Sequence, residues 1–442
     1  MDRPELHHEA FDHELALLKA EERIGIDVGF IRRRPRKIEP LQLLKAFCML
    51  LPGSCPSLRA LATVLSVLCS EAVSKQAVAK RIGRPWVEFL KQMLALLLCR
   101  RLDLRPVEAL FAPFKRVLLH DSSVLPLPSV MAPYYKGSRD RTGRAYAQAK
   151  VQAILDIKNR SYLHCAVTDF TCNDQRAAAD VLKLVGPGDL VIRDLGYFVL
   201  GILARIADAG AFFVSRYRHG CLLFDPNGLP VDLVEILNKE GQLDRRVCIG
   251  KAERLPVRIV AVPLPPSLAQ KRRRLLRQNR DHRLNPGKRH LRLLGWAIFV
   301  TNVTEDIWSA CEIREIYRLR WRIEIVFKAW KSHFGINAYS RTASRYQIES
   351  LLYTRLIYIL LFQRLLYNPL LYEIDRRHER KLSILKCASF FTQYHWLIPL
   401  MTQSSNRHLL IDILGRLCTY DKRKRLNYEE MLENYVKQNH ED

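Results

Sequence analysis

With 442 residues, 48% of them hydrophobic, the chain is long enough for roughly two or three domains and apolar enough to bury a sizeable core, which excludes a disordered tail. Lys and Arg number 71 against 45 Asp and Glu; the net charge of +26 favours a polyanionic partner, because each neutralised phosphate releases condensed counterions, with a cationic surface kept for solubility as the alternative. The 11 cysteines form no Cys-x-x-Cys pair and no His/Cys cluster at zinc spacing, which excludes a disulfide framework or a zinc site and fits a reducing cytosol.

The first residues, MDRPELHHEAFDHELALLK, carry acids where an export signal needs a basic start and a long apolar run, so no export signal is expected. Residues 1–110 read as a helical domain, with apolar spacing in LQLLKAFCMLL, SLRALATVLSVL and WVEFLKQMLALLL between Pro, Gly and Ser breaks. Within it, a helix, a turn and a second helix opening at Ser74 would expose Lys75, Gln76, Lys80 and Arg81. A helix-turn-helix places such side chains in a major groove, and two ordinary packed helices give the same pattern.

Residues 111–216 read as strands KRVLLHD, AKVQAILDI and YLHCAVTDF, helix NDQRAAADVLKLV, strand DLVIRD after the turn Gly186-Pro187-Gly188, helix VLGILARIADAG and strand AFFVSRY. The order is βββαβαβ. Arg139, Arg141 and Arg144, between the first two strands, line a DNA path or decorate a solvated hairpin. Residues 217–292 read as a basic, β-rich insertion ending in KRRRLLRQNRDHRLNPGKRHLR, ten Lys/Arg against one Asp. Arg272, Arg273 and Arg274 head this run, either a DNA-backbone surface or a flexible charged loop. Residues 293–345 hold a last strand, LLGWAIFVTN, and the helix EIREIYRLRWRIEIVFKAWKSHF. Residues 346–442 read as helical, a region for dimer contact with a frayed acidic tail. Their apolar stretch LLYTRLIYILLFQRLLY contains Arg355, Gln363 and Arg364, which predicts a buried amphipathic helix rather than a membrane span, and a soluble, cytoplasmic protein.

Three acids occupy unusual places. Asp121 ends the strand VLLHD, Asp194 ends DLVIRD, and Glu324 lies in the long helix after the final strand. Open α/β sheets build their sites at strand ends. Two carboxylates there and a third from a covering helix suit two divalent metals about 3.5–4 Å apart, the clamp for in-line displacement at phosphorus. The plainer reading is that each Asp merely starts a turn. Tyr317, Arg320, Glu324 and Lys331, at offsets 0, 3, 7 and 14, fall within an arc of about 60° on an ideal helix, as a phosphate-gripping stripe or a solvated face. His120 alternates with Asp121 and is expected on the opposite face of the sheet.

The spacing Y-(2)-R-(3)-E-(6)-K in YRLRWRIEIVFKAWK resembles the signature of the insertion sequence 4 family of DDE transposases. The context Asp194-Leu195-Gly196-Tyr197, the strand-closing Asp121 in LHDSS, and Thr301-Asn302 before the signature helix resemble the same family, over roughly residues 40 to 370. The resemblance implies a ribonuclease-H-like mixed α/β sheet flanked by helices and split by an insertion. Asp121, Asp194 and Glu324 would form the metal triad, with Mg²⁺, or permissively Mn²⁺, in a two-metal site. Tyr317, Arg320 and Lys331 would hold phosphates. Trp321 and Trp296 match positions that stack an extruded base, although a tryptophan on an apolar strand also suits the core. The implied partners are double-stranded DNA, as inverted repeats and target, and a second copy in a synaptic homodimer. The implied activity is cut-and-paste transposition in a bacterial, nucleoid-associated setting. A metal-dependent endonuclease without strand transfer and a non-catalytic DNA-binding derivative are the rival readings.

Overall fold

The computed structural model describes residues 21–32, 37–51, 55–99, 111–140, 142–278, 286–340, 343–395, 397 and 404–420. The expectations for the segment before residue 21, for Arg141, for Arg280 and Arg283 of the basic run, and for the acidic tail after residue 420 lie outside the described residues.

The N-terminal part is helical: α1 (Glu21–Asp27), α2 (Pro40–Leu50), α3 (Leu58–Leu68), α4 (Lys75–Arg81) and α5 (Arg84–Cys99). Ser57 and Ser74 start α3 and α4, each hydroxyl accepting a first-turn amide that has no partner within its helix. Trp86 anchors the bundle, fully buried, with its ring stacked 5.3 Å from Phe89 and 6.0 Å from Phe47. Helix α4 exposes Lys75, Gln76 and Lys80, but Arg81 turns inward. Its guanidinium lies 4.9 Å from the Phe30 ring centroid and donates to the Phe30 and Ile38 carbonyls at 3.0 and 3.4 Å. Carbonyls covered by packing need donors, and one planar fork serves both.

A single sheet of 10 strands follows: β1 (Val117–Leu127), β2 (Lys136–Arg139), β3 (Ala145–Asp156), β4 (Ser161–Asp169), β5 (Leu190–Arg193), β6 (Phe212–Arg216), β7 (Leu223–Phe224), β8 (Leu243–Ile249), β9 (Leu255–Pro263) and β10 (Trp296–Thr301). The order is β2-β3-β1-β5-β6-β10-β9-β8-β7, with β4 also on β3. Strands β1, β3 and β4 are antiparallel, and β5 and β6 join β1 in parallel on its other edge. Three antiparallel strands followed by two parallel ones are the arrangement expected of a ribonuclease-H-like core. The parallel crossovers run through α6 (Asp174–Ala177) and through α7 (Leu200–Asp208).

Beyond β10, strands β9, β8 and β7 continue the same sheet, antiparallel throughout, with α8 (Leu233–Glu240) packed against them. The basic run is helical where described rather than β or loop: Lys271 to Arg277 close α9 (Pro266–Arg277), and Lys288 opens α10 (Lys288–Leu293). Proline at the start of α9 and the buried Ala269 give that helix its first turn and its anchor.

The signature segment is not one regular helix. It comprises α11 (Ala310–Tyr317), a 3-10 turn Arg318–Arg320 and α12 (Trp321–Ser332). Next come α13 (Arg345–Leu361), a π-helical turn Phe362–Tyr367, α14 (Asn368–His378), α15 (Ile384–Gln393) and α16 (Ser404–Leu417). The apolar stretch from Leu351 is buried all round rather than amphipathic, because α13 packs along α5 and α2 as well as its own C-terminal neighbours. Arg355, 1% exposed, survives there by donating to the Ala338 carbonyl, with its charge 5.5 Å from the Tyr339 ring. Among the described residues no helix is long and apolar enough to cross a membrane.

Candidate active site

The sheet register sets two of the three acids side by side. Strands β1 and β5 run parallel, with His120 opposite Arg193 as their last pair, so the next residues on each chain are Asp121 and Asp194. By strand alternation both acids share the face of Leu119 and Ile192, which joins the core under α12, while His120 faces the other way. His120 is fully buried there, 4.2 Å from the Tyr197 ring, and burial drives its imidazole well below the usual range. It stays neutral and away from the acids.

Asp121 does not end its strand, contrary to expectation. Strand β1 runs on to Leu127, pairing with β3 as far as Ala147, and what stops at Asp121 is the partnership with β5. Helix α12 packs against β1, and its first turn carries Glu324. Ile323 and Phe327 hold that helix against the sheet.

Arg320 closes the group. Its Nη1 stands 2.7 Å from Glu324 Oε1 and 3.3 Å from Asp121 Oδ2, and its Nε is 3.6 Å from Asp194 Oδ1. Three carboxylates from three elements therefore converge on one guanidinium that is only 10% exposed. Burial pushes the Asp121 carboxyl up to about 6; the Ser122 amide, 2.8 Å from its Oδ1, and Arg320 oppose the shift, and Asp194 and Glu324 add to it. Such a cluster of negative charge calls for a cation. Among the described residues no group of three or more His, Cys, Asp or Glu stands where it could hold a metal ion as arranged, and Arg320 occupies the centre the acids share. The donor set is oxygen only, which fits a hard divalent ion once that guanidinium withdraws.

Of the remaining signature residues, Tyr317 and Arg320 are inward rather than on an exposed stripe, because the 3-10 turn redirects the chain between them. The Tyr317 ring packs 5.2 Å from Phe299, and among the described residues its buried hydroxyl has no hydrogen-bond partner. Burial raises that phenol's pKa, and neighbouring Asp194 raises it further. Trp321 is 59% exposed beside Arg320, whose guanidinium is 5.2 Å from the indole. Lys331 is exposed in the last turn of α12, and among the described residues no ion pair joins it to the three acids.

The other predicted contacts are dispersed. Trp296 is half-buried, its indole N–H donating to the Gly241 carbonyl at 2.6 Å. Arg272 and Arg273 bend back to the carbonyls of Trp296 and Leu291, at 3.4 and 3.0 Å, and of the three arginines only Arg274 is exposed. Lys75, Gln76 and Lys80 belong to the N-terminal bundle. Sequence reasoning missed Asp174 and Lys150, an ion pair of 2.7 Å on the reverse of the sheet behind Asp121. The signal was present in AKVQAILDI, where Lys150 and Gln152 alternate with apolar residues and so mark a polar face in need of a partner.

The Transposase DDE domain family matches residues 112–361, more than half of the chain. The transposase for insertion sequence element IS231B of Bacillus thuringiensis subsp. berliner is 28% identical over 424 residues, covering 90% of this chain and 87% of that one. The transposase for insertion sequence element IS1151 of Clostridium perfringens is 26% identical over 359 residues, covering 76% and 75%. A solved piggyBac transposase synaptic complex with hairpin DNA aligns over 95% of this chain and 79% of that chain, with a TM-score of 0.41 and 10% identity.

Proposed function

The chain belongs to the Transposase DDE domain family, and from that premise we propose that it binds the terminal inverted repeats of an insertion sequence, cuts at the element ends and joins the resulting 3′-hydroxyls to target DNA. It is a DNA transposase, an enzyme of a family that binds DNA and uses divalent metal ions. The observation that carries the finer reading is the convergence of Asp121, Asp194 and Glu324 on one guanidinium where the pairing of β1 with β5 ends.

In this reading Asp121, Asp194 and Glu324 would hold Mg²⁺, or Mn²⁺ in its place. Bound there, the metal lowers the pKa of water and neutralises charge developing on the phosphate. The chain's own residues do the rest. Arg320 leaves the carboxylates and takes a phosphate oxygen, for which its planar fork is suited. The Tyr317 hydroxyl, buried without a partner among the described residues, donates to the same backbone. Trp321 offers an exposed flat face to a base. Lys331, the exposed Lys75, Gln76 and Lys80, and Arg274 meet phosphates further along the duplex. Two element ends must be cut in concert, so the working form is a synaptic homodimer, acting in the bacterial cytoplasm on chromosomal DNA.

The test is a Mg²⁺-dependent assay on labelled DNA carrying the element ends, comparing wild type with Asp121→Ala, Asp194→Ala and Glu324→Ala. Wild type is expected to cut and join, and each variant to bind ends but do neither. Cutting without joining would replace the transposase chemistry with that of an endonuclease. Binding without metal-dependent chemistry would leave a DNA-binding protein.

A further inference from the structure

We propose that Asp174 is a positioning residue that fixes Asp121 and Asp194 relative to each other from the reverse face of the sheet. The proposal rests on reading those two acids as metal-binding.

Asp174 opens the short helix α6, immediately after Asn173, whose side chain already caps it by accepting the Arg176 amide at 2.9 Å. A helix of four residues has little dipole for an acid to complement, so the carboxylate needs another explanation. Its contacts supply one. Oδ1 accepts from the Ser122 hydroxyl at 2.9 Å, from Lys150 Nζ at 2.7 Å and from Gln152 Nε2 at 3.5 Å. Ser122 directly follows Asp121, and its amide donates to Asp121 Oδ1 at 2.8 Å.

The second oxygen faces the other acid's turn. A Cβ on Gly196 would lie 2.9 Å from Asp174 Oδ2, too close for any side chain, so glycine at 196 is what admits the carboxylate. Gly196 sits two residues after Asp194, inside the 3-10 turn whose Tyr197 amide returns to the Asp194 carbonyl at 3.0 Å. The Tyr197 hydroxyl in turn donates to Gln152, which touches Asp174. One side chain thus contacts the residue after Asp121 and the turn after Asp194. Lys150, 7% exposed, pairs with this carboxylate, so the link is held in place by charge as well as by shape.

The experiment is calorimetric titration of the full-length protein with Mn²⁺, paired with metal-free binding of element-end DNA. Ser122→Ala removes the link to Asp121 but leaves Lys150 paired, and Asp174→Asn keeps the shape but not the charge. Each is expected to weaken Mn²⁺ binding by about tenfold, the usual lower bound for groups that orient metal ligands, with end-DNA affinity unchanged within about twofold. Lys150→Met/Asp174→Leu restores a neutral packed pair without the hydroxyl contact and is expected to bind Mn²⁺ as weakly as Asp174→Asn. Wild-type affinity in Ser122→Ala, or recovery in the double variant, would show that Asp174 serves only to neutralise Lys150 and would overturn the proposal. A wild-type protein that binds no Mn²⁺ would instead remove the metal-site reading itself, and this inference with it.

Discussion

Nη1 of Arg320 stands 2.7 Å from Oε1 of Glu324, one helical turn further along the chain. The same guanidinium reaches Asp121 and Asp194, so the three acids are held together by an internal cation. A divalent ion entering the site must compete with it. Arg320→Ala is therefore expected to tighten Mn²⁺ binding by roughly tenfold in the absence of DNA, a change of about 1.4 kcal/mol, while slowing cleavage because the phosphate loses its fork. Titration calorimetry decides the first half. Weaker Mn²⁺ binding in Arg320→Ala would mean that the arginine supports the metal rather than excluding it.

The N-terminal bundle offers a sharper contrast between neighbours on one short helix. Lys75 and Lys80 are exposed, whereas Arg81 is committed to the carbonyls of Phe30 and Ile38. If α4 meets DNA, Lys75→Ala/Lys80→Ala should reduce the slope of log affinity against log salt by about 2, close to one unit per phosphate contact, without altering thermal stability. Arg81→Ala should do the reverse, lowering the unfolding temperature and leaving the salt slope intact. Equal slopes for the lysine variant and wild type would take DNA contact away from α4.

Much of the candidate site is legible in the chain because its signals are local. Asp121 and Asp194 stand out as carboxylates at the end of apolar runs, and Glu324 by its offset from Tyr317 and Arg320. What escaped depends on pairing at a distance. Strand β1 continues past Asp121 because β3 offers ten partners in register, which no local pattern in SSVLPL announces. The 3-10 turn at Arg318–Arg320 interrupts a sequence whose spacing suits an ideal helix, because Tyr317 and Arg320 must both reach the sheet. The inward turn of Arg81, Arg272 and Arg273 follows from carbonyls contributed by other segments. Charge alone marks an arginine as available; only packing shows that it is already engaged.

The two tryptophans predicted to handle a base differ in the same way. Trp321 is 59% exposed, whereas Trp296 gives its N–H to Gly241 at 2.6 Å and packs against the sheet's second core. Trp321→Ala is expected to weaken binding of a cleaved element end by about 1–3 kcal/mol, the range for one stacked base, and Trp321→Phe to recover most of it. Trp296→Ala should instead lower the unfolding temperature with less effect on end binding. Gel-shift titrations alongside thermal melts separate the two. Should Trp321→Phe bind as poorly as Trp321→Ala, a flat ring is not what the site uses.

Beneath the candidate active site, the parallel pair β1 and β5 is joined at its N-terminal end by a buried ion pair. Arg116 Nε lies 2.8 Å from Asp189 Oδ1, its Nη2 bonds the second oxygen, and the side chains are 7% and 0% exposed. The Leu190 amide donates to the Arg116 carbonyl at 2.9 Å, so the pair fixes the register that later sets Asp121 beside Asp194. Removing one partner strands a charge with no water to solvate it. Arg116→Met is therefore expected to cost about 3–5 kcal/mol of stability, whereas Arg116→Met/Asp189→Leu, which removes both charges, should recover most of that loss. Denaturant melts of the two variants and wild type measure the difference. The double variant should also retain Mn²⁺ affinity, since apolar packing can hold the same register. If it regains stability but loses the metal, the ion pair contributes to alignment of the acids and not only to folding.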